Sequence, residues 1–154
     1  MPETHVLNSI TEREAVADAL YRAVSAFDDN DVSLFNSAMC EDAVFKMGDH
    51  VVNGREAMKT QFLDFVGPKD TTHMISNVRV DLKPGAKTAS LSAYALAQHC
   101  PPGQGCDPSS PYYLSGSRYS LNVVKDEKEN LWKVKDWNMK ITWLQGDASV
   151  LSRE

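Results

Sequence analysis

A chain of 154 residues, 42% hydrophobic and 24% charged, is sized for one domain around a single core. Its formal net charge of −5 excludes the basic footprint that nucleic acid or an anionic membrane surface requires. No apolar run reaches the ~20 residues of a membrane span, and MPETHVLNSI lacks a signal-peptide pattern, so a cytoplasmic protein is expected.

Thr11-Glu12-Arg13-Glu14 is a capping box that opens a helix, and Val16, Leu20, Val24 and Phe27 follow at helical spacing. Asp28 lies four residues beyond Val24 and extends the core-facing stripe, where an unpaired charge is costly. Alternatively the helix has ended in DDND and Asp28 is a solvated turn residue. Asp31 caps a short second helix carrying Leu34, Phe35, Ala38 and Met39. Strands are predicted at residues 43–47 and 51–53 around a Gly48-Asp49 turn. A third helix starts near Gly54-Arg55, carries Met58, Phe62, Phe65 and Val66 at the helical period, and stops at Gly67-Pro68.

Four long strands complete the pattern, at residues 72–82, 88–99, 114–125 and 131–144, with a Pro/Gly-rich loop over 100–111. In the second of them Leu91, Ala93, Ala95, Ala97 and His99 share one face, apolar except for the imidazole. Alanines do not fill the ~10 Å between packed layers, so a hollow with His99 at its rim is expected. His73 opens the strand before it and carries a conflict. Its alternating partners Ile75, Asn77, Arg79 and Asp81 are mostly polar, whereas Met74, Val78, Val80 and Leu82 read as the core face. Either a bulge turns the chain after His73 or that face is exposed. In the last strand Trp132 and Val134 fall on one face and Trp137, Met139, Ile141 and Trp143 on the other. A bulge near Lys135-Asp136, or burial on both sides, accounts for that switch. From Gln145 onward the tail is expected to be loosely ordered.

Helices followed by long antiparallel strands make an α+β domain, with the core over about residues 10–145. A strongly bent mixed or antiparallel sheet wrapped around the N-terminal helices accounts for a central pocket. Cys40, Cys100 and Cys106 are an odd number with no CxxC pair. Cys100 and Cys106 are close enough in sequence for a local disulfide, although a reducing cytosol favours free thiols. His99, Cys100, Cys106 and Asp107 match no familiar ligand spacing, so no metal site is expected.

In order and spacing these segments resemble the SnoaL-like branch of the nuclear-transport-factor-2-like superfamily, closest to scytalone dehydratase and related fungal tailoring enzymes. The resemblance implies a cone-shaped α+β fold enclosing one deep pocket. AFDDND resembles the segment supplying a pocket aspartate, which falls on Asp28; TTHMISN and YALAQH resemble the segments carrying two catalytic histidines, here His73 and His99. GSRYSLN and LWKVKDWNMKITW resemble the closing strands, with the pocket serine and asparagine on Ser120 and Asn122. Two tyrosines that hold a water in the dehydratase align with Phe27 and Met47, a departure from the dehydratase pattern that implies a different substrate-binding wall. Tyr112 and Tyr113 are candidates to reach over the pocket instead.

The implied activity is that of a lyase or isomerase without a cofactor: dehydration, isomerisation or cyclisation of a small cyclic metabolite of polyketide or terpenoid type. Such reactions move a proton from one position to another, which suits histidine. Asp28 would orient His73 as base and His99 would act as acid, although the roles can be exchanged. Asn122 would hold an enolate oxygen, Ser120 would add a polar anchor, and Arg118, on the same alternating face, would meet an anionic oxygen if that face is internal. His5 and His50 read as surface residues. The three tryptophans read as core or subunit contacts, and an apolar outer sheet face suggests a homo-oligomer, a dimer or trimer. The rival reading is a non-catalytic ligand-binding or assembly module of the same fold.

Overall fold

Thr11 opens the chain's first helix as a reciprocal cap. Its Oγ1 accepts the Glu14 N–H at 3.1 Å, and the Glu14 carboxylate accepts the Thr11 N–H at 2.7 Å. The structure, a computed structural model, describes residues 5–153. Helix α1 (Glu12–Asp29) closes on Asn30 in the left-handed region, φ 51°. Asp31 then caps α2 (Val32–Ala38) by accepting the Leu34 N–H at 2.9 Å. The two helices are joined to the sheet by Arg22, which is only 4% exposed. Its guanidinium pairs with Asp18 and donates to the carbonyls of Ser37 in α2 and of Trp132.

Strands β1 (Met39–Met47) and β2 (His50–Asn53) form a hairpin. A helical segment follows: α3 (Arg55–Met58), a π-helical turn (Lys59–Leu63) and α4 (Asp64–Val66). Strands β3 (Asp70–Asp81), β4 (Thr88–Cys100), β5 (Tyr113–Asp126) and β6 (Leu131–Gly146) complete one curved, unclosed six-stranded sheet in the order β2-β1-β6-β5-β4-β3. Among the described residues only β1 with β6 is a parallel pair, so the sheet is mixed. The inner face packs on α1 and α2 through Leu91, Ala93, Ala95, Tyr119, Leu121, Val123, Val134 and Trp137.

Bulges decide which side chains face inward. Ser76 pairs with Tyr94 and Arg79 with Ser92, so Asn77 and Val78 together oppose Ala93. Asn77 takes φ 54°, a conformation Asn tolerates better than most residues. Before this bulge His73 and Ile75 lie on the inner face; after it Val78, Val80 and Leu82 do. The conflict in the periodicity of this strand is resolved by one inserted residue. Lys135 is the extra residue in β6, between the pairs Asn122–Asp136 and Val123–Val134, and it puts Val134 and Trp137 on the same buried face. A second bulge at Thr142 was not anticipated, and it turns Trp143 to the outer face, over Gly116. The tail also departs from expectation. Asp147 caps a 3-10 turn (Ala148–Leu151) that buries Val150.

Asn77→Ala is expected to destabilise the fold by about 1–2 kcal/mol, the cost of a β-carbon in the left-handed region. Asn77→Gly is expected to cost almost nothing. Urea unfolding of the two variants checks this, and equal losses would show that the backbone angle is not what the residue supplies.

Candidate active site

Asp28 belongs to the last turn of α1, four residues beyond Val24 on the buried stripe. A carboxylate at the negative end of a helix is electrostatically misplaced, and here it is compensated from β3. Oδ2 accepts the His73 backbone N–H at 2.9 Å, and Oδ1 lies 2.6 Å from His73 Nδ1. An ionised carboxylate only accepts. His73 Nδ1 therefore carries the proton in this contact, and in the neutral ring Nε2 is the nitrogen that keeps its lone pair.

The second imidazole is set by strand register. His99 pairs across β3 and β4 with Thr71, whose Oγ1 is 3.0 Å from His99 Nδ1. His73 pairs with Ala97, whose side chain is a single methyl group. The two imidazoles, diagonal neighbours on one face, meet edge to face with centroids 5.7 Å apart and planes at 77°. His99 is 5% exposed. Burial first, and the neighbouring His73 second, pull its pKa from 6.5 down to about 4, against the opposing pull of Asp28. At neutral pH His99 is therefore an uncharged imidazole.

That shift has a stability consequence. The unfolded chain binds a proton on His99 near pH 6.5, the folded chain only near pH 4. The contribution is fully present above 6.5 and is lost as the pH falls to about 4, a difference of roughly 3 kcal/mol. Urea midpoints followed over this window are expected to fall more steeply for the native chain than for His99→Gln. Parallel profiles would show that His99 titrates normally.

The other anticipated residues divide. Phe27 is buried, with its ring 6.0 Å from His73 and 5.8 Å from Phe35. Tyr113 pairs with His99 from the β5 side and is half-buried, whereas Tyr112 is exposed. Met47, at the end of β1, packs half-buried against the core.

Arg118, Ser120 and Asn122 are corrections, because all three lie exposed on the outer face. Arg118 stacks on Tyr94 at 3.7 Å, Asn122 Nδ2 donates to Asp136 at 3.2 Å, and Ser120 pairs with exposed Ser92. The inward set on β5 is Ser115, Ser117, Tyr119, Leu121 and Val123. The apolar alternation of Tyr119, Leu121 and Val123 is the signal that identifies this face, and it runs opposite to the parity the resemblance suggests. Tyr119 is thus an inward-facing candidate that the resemblance did not name. Burial, with the charge of Asp28 adding to it, pushes its phenol pKa up, so the hydroxyl stays neutral.

A cleft of about 490 Å³ lies at the loop end of β3 and β4, with Asp28, Lys69, Thr71, Thr72, Met74 and Gln98 in its wall, and neither imidazole lines it. A larger cleft of about 530 Å³ lies at the opposite end, between α2, β1 and the β5–β6 turn. Its charges are already paired: Lys133 with Asp126 and Glu129, Arg55 with Glu41. All three cysteines are unpaired. Among the described residues no three His, Cys, Asp or Glu side chains are gathered so as to hold a metal ion, and no helix is long and apolar enough to cross a membrane.

Known proteins share this architecture. A candidate scytalone dehydratase of Novosphingobium aromaticivorans superposes with a TM-score of 0.74 at 22% identity, covering 88% of this chain and 87% of its own. A hexachlorocyclohexane dehydrochlorinase of Novosphingobium barchaimii gives a TM-score of 0.69 at 16% identity, over 93% and 94%. In sequence, the chain is 41% identical over 145 residues to the terrestric acid biosynthesis cluster protein E of Penicillium crustosum, covering 94% of this chain and 92% of that protein. The model of the SnoaL-like domain matches residues 8–138. With the fold and most of its length accounted for in this way, the chain belongs to the SnoaL-like family.

Proposed function

We propose that the chain is a cofactor-independent lyase or isomerase of secondary metabolism, acting on a small cyclic intermediate of polyketide or terpenoid type. The observation that carries this reading is the Asp28–His73 pair at 2.6 Å with the second imidazole in ring contact. His73 Nε2 removes a proton alpha to a carbonyl, and Asp28 balances the charge that the ring gains. Neutral His99 donates from Nε2 to the developing enolate oxygen while Thr71 holds its Nδ1, and the Tyr119 hydroxyl is a second donor for that oxygen. The proton on His73 then goes to another carbon in an isomerisation, or to a departing hydroxyl in a dehydration. The name of the Penicillium relative supports a biosynthetic setting, and the names of the two structural neighbours denote eliminations.

The test is solvent exchange. In deuterium oxide the protein is expected to speed deuterium incorporation alpha to the carbonyl in a panel of enolisable cyclic ketones and lactones, followed by proton NMR. No acceleration with any of them would overturn the proposal. It would return the chain to the rival reading of a binding or assembly module, against which the convergence of Asp28, His73 and His99 stands.

Assembly into a homo-oligomer belongs to the same proposal. Met74, Tyr94 and Trp143 are each exposed on the outer sheet face, where single-sheet proteins meet partners. Sedimentation equilibrium of the native chain and of Trp143→Lys distinguishes an oligomer from a monomer. Three free thiols suit a reducing cytosol as its compartment.

A further inference from the structure

Two polar atoms on the inner face have no hydrogen-bond partner among the described residues: Ser117 Oγ and Trp137 Nε1. Their residues are 1% and 4% exposed. Native proteins leave few such groups, and an unmet buried donor costs about 1–3 kcal/mol. The contrast with Trp132 is direct, since its indole is also buried yet donates to Glu12 at 3.0 Å.

Both residues lie on the inner face of the sheet that also carries the histidines. Ser117 pairs with Ala95, which pairs with Ile75, so it stands two strands, or about 10 Å, across the sheet from the strand of His73. Tyr119 is the next inward residue of β5, and its ring lies 5.2 Å from that of Trp137. Trp137 in turn meets Phe45 at 6.2 Å. Between this edge and His73 the wall is Ala93, Ala95 and Ala97, which present only methyl groups.

We infer that Ser117 and Trp137 form a second hydrogen-bonding station, taking an uncharged oxygen on the edge of the substrate remote from His73. The inference rests on the reading of this interior as the substrate site. Indole N–H only donates, so the group it meets is an acceptor. A carboxylate there would need a cation. Among the described residues the buried ones are committed elsewhere, Arg22 to Asp18 and two carbonyls, Lys133 to Asp126 and Glu129. The oxygen is therefore that of a ketone, lactone or ether. The substrate class is a neutral ring system with oxygens at both ends, one at the imidazoles and one at the Ser117–Trp137 edge.

The experiment follows the three indole N–H signals and the imidazole signals by NMR, with Trp137→Phe assigning its own indole. The probes are β-tetralone, its oxygen-free counterpart tetralin, and naphthoate as the anion. β-Tetralone is expected to move the His73 and His99 signals and to shift the Trp137 indole proton downfield. Tetralin should move the imidazoles alone, and naphthoate should bind more weakly than β-tetralone. Ser117→Ala should weaken β-tetralone about 2–10-fold, the range for one neutral hydrogen bond, with tetralin unaffected; the backbone spectrum checks its fold. Imidazole shifts with an unmoved Trp137 signal, or naphthoate binding as tightly as β-tetralone, would overturn the inference and leave the acid–base proposal standing. If no probe moves the imidazoles, the site reading falls and the inference falls with it.

Discussion

His73→Ala is expected to slow the exchange reaction by about 10²–10⁴-fold, the usual worth of a positioned general base. The loss should appear in kcat rather than KM, because the ring acts on the proton in flight and adds little to ground-state binding. Asp28→Asn should also lose most of the rate. Its amide can still accept the His73 backbone N–H, but it carries no charge to set against the protonated ring. The structural risk differs between the two. Alanine at 73 leaves the helix end intact, whereas asparagine at 28 changes the group that ties α1 to β3. Thermal melting of both variants separates misfolding from lost chemistry. Native melting with exchange undiminished in His73→Ala would remove the base from the proposal.

Arg22→Ala is expected to cost about 3–5 kcal/mol, the penalty for breaking a buried charged network from one side. The substitution strands the Asp18 carboxylate and leaves the carbonyls of Ser37 and Trp132 without this donor. These partners lie in α1, α2 and β6, so the loss should loosen the whole helix–sheet junction. Urea unfolding gives the number. A loss below about 1 kcal/mol would mean that the arginine is held by packing of its stem and that water replaces its hydrogen bonds. Arg22 was not singled out from the sequence. Its one local cue, Asp18 four residues earlier, is shared by many exposed helix pairs.

What was legible along the chain follows the range of the interaction. The capping box at Thr11, the cap at Asp31 and the stop at Gly67-Pro68 are local chemistry; the first two open a helix and the third ends one where expected. The inward row Leu91, Ala93, Ala95, Ala97 and His99 was equally plain, because β4 has no bulge and period-two alternation survives along its length. Strands β3 and β6 each carry inserted residues, and there alternation alone states a contradiction without locating its resolution. On β5 the disagreement has another cause. The resemblance puts Ser120 and Asn122 inward, one residue out of parity with the strand pairing, and a shift of one exchanges the two faces of a strand.

By itself the sequence determined the class of fold and the inward alanine row, since these rest on caps and periodicity, while the resemblance named Asp28, His73 and His99 as candidates. Only the tertiary structure decided that Asp28 grips His73 through two oxygens, that His99 is buried and uncharged, and that Ser117, Tyr119 and Trp137 replace Ser120 and Asn122 on the inner wall. The physical reason is that strand pairing and desolvation are set between segments far apart in the chain: 45 residues separate Asp28 from His73, and the sequence carries no local trace of what each group meets.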